Sequence, residues 1–416
     1  MGVYSIWPYF VCMAVLLGVE ALPVFKAADQ PIAQQNRRLT IDGLRGFLAL
    51  GVFFHHAAMY QIALTQGVWS LPPSQFYILT GQFGVSMFFM ITGYLFWSRV
   101  LRDKGRTDWA SLYISRVFRI GPMYLFVIGV MFLFALAGTG LHLQVPPARL
   151  AMSVAKWLSL GLWQGGDVNG YDKTTLLLGM TWSLRWEWLF YLSLPILAIL
   201  PRFIRARHAP LLFTATGLLL CLAYAASRGQ GAEAGKGQLA VFAALFFTGM
   251  TCGSLENSGL RLKLPDWLGS LLAVGVLALA FAISPSGYRA SAVALLAVVF
   301  YLISSGATLF GLLTLKPALR LGDISYSIYL LQGIVTTSAL SFGPARDFAV
   351  QGPVQHWLLV LVNALILVVF ANLTYHGVER TGIAWGKRAT ALWRTRFPRK
   401  TDAASRPAPS PVGIQP

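Results

Sequence analysis

The stretch Arg38–Ala57, RLTIDGLRGFLALGVFFHHA, decides the fold. It enters through Asp42 and Arg45, runs apolar from Gly46, and carries two adjacent histidines, His55 and His56, most of the way across. An apolar run that continues to Thr65 is long enough to cross roughly 30 Å of hydrocarbon at about 1.5 Å per residue. Nine further runs of this kind follow: Phe76 to Trp97, Ile120 to Gly138, Met180 to Leu200, Pro210 to Ser227, Leu239 to Leu255, Trp267 to Ser284, Ala290 to Phe310, Gly322 to Phe342 and Trp357 to His376. The expectation is an all-α integral membrane protein of about ten transmembrane helices.

Composition agrees. Of 416 residues, 56% are hydrophobic and 12% charged, with mean hydropathy +0.62, far more apolar surface than a soluble domain could cover. The net charge of +18 does not point to nucleic acid, because the basic residues sit in short clusters between apolar runs. Six Lys and Arg lie between Trp97 and Ile120 and eight follow His376, whereas the five loops on the other side hold seven in all. That asymmetry places both flanks of the core in the cytoplasm. The three cysteines lie inside apolar runs, so neither a disulfide framework nor a cysteine-based metal site is expected.

The ends read differently from the core. Residues 1–36 form an extension whose apolar part, Ile6 to Phe25, is broken by Pro8, Glu20 and Pro23; an extra membrane segment and a leader are both open readings. Residues 381–416 read as a basic, Pro-rich cytoplasmic tail with a disordered end. The long outer loop from Thr139 to Gly179 places Trp157 and Trp163 where they suit the membrane interface.

Ionisable groups in hydrocarbon are costly, so each calls for a partner or a task. Glu187 is the one acid well inside a run, in TWSLRWEWLFYLSLP, and Arg185 the one equally deep base. Two residues apart on a helix, they face different neighbours. His56 and Glu187 lie within about 5 Å of the same depth, so the two can meet near the midplane; hydrogen-bonded helix packing is the competing reading. For His55, turned about 100° away, packing is favoured. Arg45 at the inner mouth of the first span is joined at the same level by Arg116 and Arg119, three residues apart in SRVFRIGPMY. Arginines so spaced present planar forks suited to phosphate; plain positive-inside anchoring is the alternative. Tyr326, Tyr329 and Gln332 form a polar stripe along the ninth span.

In this order the segments resemble the membrane acyltransferase family 3, multi-span O-acyltransferases of bacterial surface glycans. IDGLRGFLALGVFFHH looks like the family's Arg-x10-His motif and selects Arg45 and His56; RVFR looks like its Arg-x-x-Arg motif, carried by Arg116 and Arg119, with Pro122 and Tyr124 behind. GVSMFFMITGYLF, TWSLRWEWLFYLSLP, GDISYSIYLLQ and GVER at Glu379 are similar to further blocks, so residues 37–380 are identified as the acyltransferase domain. The chain departs from the pattern at Ser86, where many members have an acid, at Gln332, where many have His, and at Thr381, where Pro often follows.

The resemblance implies acyl-CoA, most often acetyl-CoA, as the donor, a glycan or glycolipid hydroxyl as the acceptor, and no metal. It also implies a multi-pass protein in contact with lipid in the bacterial cytoplasmic (inner) membrane, in a stand-alone form without an esterase-like domain. Arg45, Arg116 and Arg119 would then hold the CoA phosphates, His56 would act as general base or acyl carrier, Glu187 would orient His56 or bind the acceptor, and Arg185 would stabilise an oxyanion. A lipid-linked glycan transporter or flippase and O-acylation of a small secondary metabolite remain as other functions for such a chain.

Overall fold

The computed structural model describes residues 2–28, 38–204, 206–229 and 235–397. These form helices α1 (Trp7–Glu20), α2 (Leu39–Gln66), α3 (Gln75–Arg102), α4 (Trp109–Gly138), α5 (Pro147–Trp157), α6 (Thr174–Leu178), α7 (Trp182–Leu197), α8 (Ile199–Phe203) and α9 (Ala209–Arg228). The remainder are α10 (Gly235–Asn257), α11 (Asp266–Ile283), α12 (Ala290–Ser304), α13 (Lys316–Asp323), α14 (Ser325–Ser341), α15 (Gly343–Ala349), α16 (Pro353–Thr374) and α17 (Arg380–Arg396). No strand forms among the described residues, as expected where lipid supplies no partner for open backbone groups.

Each of the ten expected spans falls on a helix. Among the described residues, eight helical runs are long and apolar enough to cross a membrane. The two that fall short are α12, with 15 residues, and α14, with 17. The run expected to reach Phe310 stops at Ser304 because the chain turns at Gly306, whose φ of 112° ends the helix. Helices α13 and α14 meet at Ile324, which interrupts what reads as one span.

Burial sorts the helices. In α2 and α3, 78% of the apolar window is covered by the rest of the protein, against 17% in α9 and 22% in α11. The first pair therefore forms the centre, while Leu212, Leu219 and Leu220 of α9 and Leu271, Leu272 and Leu279 of α11 are exposed, on the side suited to lipid. Close approach at the centre depends on missing side chains. Helix α10 lies directly on α3, where a Cβ at Gly249 would overlap the Met90 carbonyl oxygen and one at Gly93 would overlap that of Phe246. With lipid on the outside as apolar as the helices, such backbone contact is the main source of association.

Polar contacts close the basic end of the bundle and bind the N-terminal helix. Arg38 pairs with Glu256, which also accepts the Tyr94 hydroxyl at 2.6 Å, so the start of α2, α3 and the end of α10 share one polar cluster. Within the extension, α1 buries Cys12, Met13 and Leu16. Its buried Glu20 accepts from Asn372 at 2.7 Å, and Tyr77 and Trp357 donate to the Ser5 and Val3 carbonyls at 2.8 and 2.7 Å. At the other terminus, residues 381–396 of the expected tail lie in α17, which packs on α4, while its expected disordered end lies outside the described residues. In the long loop, Trp157 is buried and donates to the Gly166 carbonyl at 3.0 Å, whereas Trp163 is exposed.

The α3–α10 contact makes a direct prediction. Gly249→Val should destabilise the detergent-solubilised protein by about 1–3 kcal/mol in thermal unfolding. Gly275→Ala, where an added Cβ meets nothing within 4 Å, should stay within about 0.5 kcal/mol of wild type.

Candidate active site

A cavity of about 710 Å³ opens among the basic ends of the helices, with walls from α2, α3, α4, α7, α14 and α17. Four of the six residues singled out in the sequence line it: Arg45, Arg116, Arg119 and Glu187. Its lining carries six cations, these three arginines with Arg99, Lys387 and Arg394, against two carboxylates, Glu187 and Asp323. Such a surplus in a partly desolvated cleft attracts an anionic ligand, and the volume lies within the range of about 300–1,000 Å³ usual for small-molecule sites.

Each side chain is held by its helix and a neighbour. Arg116 and Arg119, three apart, share one face of α4. The Arg116 guanidinium lies over the Phe96 ring, 5.1 Å from its centroid, beside the Tyr191 hydroxyl. Arg119 pairs with Glu379 at 2.9 Å, and Ser327 donates to the second oxygen of that buried carboxylate at 2.9 Å. Glu187 accepts from Tyr191 at 2.8 Å, one helical turn along α7. The mouth is completed by α17, which can lie on α4 because Gly382 has no side chain; a Cβ there would sit 2.6 Å from Pro122 Cγ. Near its end Arg394 pairs with Asp108 at 3.2 Å.

The remaining two residues are placed elsewhere. Arg185 is exposed on another side of α7 and is not part of the cavity wall. His56 stands eleven residues from Arg45 on α2, about 16 Å along the helix, and it too is off the wall. Its Nδ1 is 3.2 Å from Gln332 Oε1, and its ring lies near-parallel to Trp69. Glu187 and His56 are thus each engaged with a different partner rather than with one another. Tyr329 and Ser183 both line the cavity, with their hydroxyls 2.8 Å apart and that of Tyr329 also 2.9 Å from the Met180 carbonyl, and the Tyr329 carbonyl accepts from the Gln332 amide that meets His56. His55 packs against Gly81 and bonds through Nδ1 to the Tyr77 carbonyl at 2.9 Å, the packing role expected of it.

Several contributors were not singled out from the sequence. Tyr191 carried a signal, its spacing of four from Glu187. Ser183 and the residues of α17 carried none, since nothing local tells which face of a uniformly apolar or a tail-like helix turns to the site. The polar stripe of α14 does face the bundle: Tyr326 donates to the Ile120 carbonyl at 3.0 Å, and Tyr329 and Gln332 make the contacts above.

Residues 38–373 match the acyltransferase domain family Acyl_transf_3. The membrane-bound transacylase BcsY of Komagataeibacter xylinus is 28% identical over 380 residues, 87% of either chain. The acyltransferase MdmB of Streptomyces mycarofaciens is 30% identical over 205 residues, 45% of this chain and 46% of that one. No solved structure matches. Both relatives carry transferase names, so the transporter reading of the buried charges finds no support here. The chain belongs to membrane acyltransferase family 3 and is a multi-span membrane enzyme that transfers acyl groups other than aminoacyl groups.

Proposed function

We propose that this enzyme moves an acyl group, acetyl in the first instance, from cytoplasmic acyl-CoA to a hydroxyl of a cell-surface glycan or glycolipid precursor at the bacterial cytoplasmic membrane. The observation that carries this reading is the cavity: three arginines on two helices converge at the basic face, in a space of small-molecule size that Tyr329 and Ser183 also line. In this reading Arg45, Arg116 and Arg119 bind the CoA phosphates, as planar forks do for phosphoryl oxygens. Lys387 and Arg394 on α17 add charge at the mouth. The pantetheine arm runs inward past Glu187, and the thioester reaches the Tyr329–Ser183 pair.

His56 lies beyond that pair and acts as general base. As the acceptor oxygen attacks the thioester carbonyl, its proton passes to the imidazole. The tetrahedral adduct then collapses to the ester and the CoA thiolate, and the imidazolium returns the proton to that sulfur. For the thioester to meet His56, the 2.8 Å contact between Tyr329 and Ser183 has to open. Arg185, exposed and off the wall, has no part in this scheme, and Glu187 serves to hold Tyr191 and balance the arginines.

Two variants test the assignment in purified, nanodisc-embedded protein. His56→Ala should lower acyl transfer at least about 100-fold while leaving acetyl-CoA binding intact by titration; transfer at the wild-type rate would remove His56 from the chemistry. Arg116→Ala should weaken acetyl-CoA binding about tenfold or more, the loss of one charge-assisted contact, with the thermal transition within a few degrees of wild type. The acceptor is read out by mass spectrometry of surface glycans from a deletion strain, where one acyl mass should disappear.

A further inference from the structure

Gln332 on α14 touches the base of the proposed mechanism. It is 1% exposed, and both ends of its amide are committed. The nitrogen Nε2 donates to the Tyr329 carbonyl one turn back on α14 at 2.9 Å, which leaves Oε1 facing His56 Nδ1 at 3.2 Å. An amide oxygen only accepts, so Nδ1 must be the protonated ring nitrogen. A neutral imidazole carries a single N–H, and the lone pair therefore falls on Nε2. Among the described residues no hydrogen bond is made to that nitrogen. Turning the amide over would set two oxygens, Oε1 and the Tyr329 carbonyl, against each other in a buried place. The ring plane is restrained as well, by Trp69 at an interplanar angle of 20° and by the neighbouring His55 ring, 5.1 Å away.

We propose that Gln332 is a positioning residue that holds His56 in the Nδ1–H form and aims its Nε2 lone pair at the acceptor hydroxyl. The inference rests on the reading of His56 as the base. An uncharged amide oxygen fixes tautomer and orientation without placing another carboxylate among apolar helices, where a charge is costly. Its support is the chain of contacts itself: Tyr329 is anchored by Met180 and Ser183 at the cavity wall, Gln332 is anchored on the Tyr329 carbonyl, and His56 on Gln332. The base is thereby referenced to the place where the donor thioester arrives.

The test pairs a spectroscopic readout with a kinetic cycle on the full chain in nanodiscs. With ¹⁵N-labelled histidine, the six residues are resolved and His56 is assigned by its loss in His56→Ala. Wild type should show Nδ1 protonated and Nε2 bare, and Gln332→Met should show a mixture of the two forms. In acetyl transfer, Gln332→Met should lower kcat about 100-fold or more, the scale seen when a catalytic histidine loses its orienting partner, with acetyl-CoA affinity unchanged. The double variant His56→Ala/Gln332→Met should be no slower than His56→Ala alone, because Gln332 acts through His56. An Nε2–H signal in wild type, a wild-type kcat in Gln332→Met, or additive losses in the double variant would each overturn the proposal. A full rate in His56→Ala would instead refute the base assignment, and the wild-type spectrum would still decide the tautomer on its own.

Discussion

The ion pair between Arg119 and Glu379, 2.9 Å long with its carboxylate fully buried, is the constraint around which the site is arranged. Removing one partner of such a pair would strand the other in a poorly solvated place, at a cost of several kcal/mol. It is retained because each end has a second task. Glu379 sits where the last span passes through a π turn, Tyr375–Glu379, into α17, and it also accepts from Ser327 on α14. One carboxylate therefore joins α4, α14 and the final helix, and turns α17 across the mouth of the cavity. Arg119, neutralised by this partner, lets Arg116 stand three residues away without two unbalanced cations side by side.

From that frame follows the separation of binding and chemistry in the proposed scheme. Helix α2 carries Arg45 at its basic end and His56 about 16 Å further along, and α14 runs alongside with Tyr326, Tyr329 and Gln332 on the face toward them. Charged contacts stay near the aqueous end, where they cost least. Uncharged hydroxyl and amide groups take over deeper in, where each is satisfied by a neighbour. The glycines of the α3–α10 contact and of α17 serve close helix approach in the same way.

Much of this was legible before any coordinates. Depth follows from counting residues along an apolar run, so the level of Arg45, Arg116, Arg119 and His56 could be read directly, and the 100° step between neighbours separated His55 from His56. Direction around the helix axis was harder. A membrane helix is apolar on nearly every face, so its pattern says little about which side meets protein and which meets lipid. That is why Arg185, at the same depth as Glu187, reads as a partner in the site but points away, and why Glu187 reads as a neighbour of His56 but meets Tyr191. Gln332 was visible as a departure from the family pattern, yet its effect lies in which atom of its amide is left over, and that depends on the Tyr329 carbonyl. For α17 the obstacle was composition. Its lysine and arginine content reads as a solvated tail, and it takes contacts such as Gly382 with Pro122 and Arg394 with Asp108 to reveal the docking.

In the proposed function the arginine-lined cavity takes the acyl donor from the basic face. The most direct measurement uses Ser115→Cys, a cavity-wall position, with the three native cysteines replaced by alanine, in sealed proteoliposomes. A membrane-impermeant maleimide added at the basic face should label the introduced thiol, and acetyl-CoA on the same side should slow that labelling in a saturable way. Labelling that acetyl-CoA leaves unchanged, or that proceeds only from the opposite face, would contradict it.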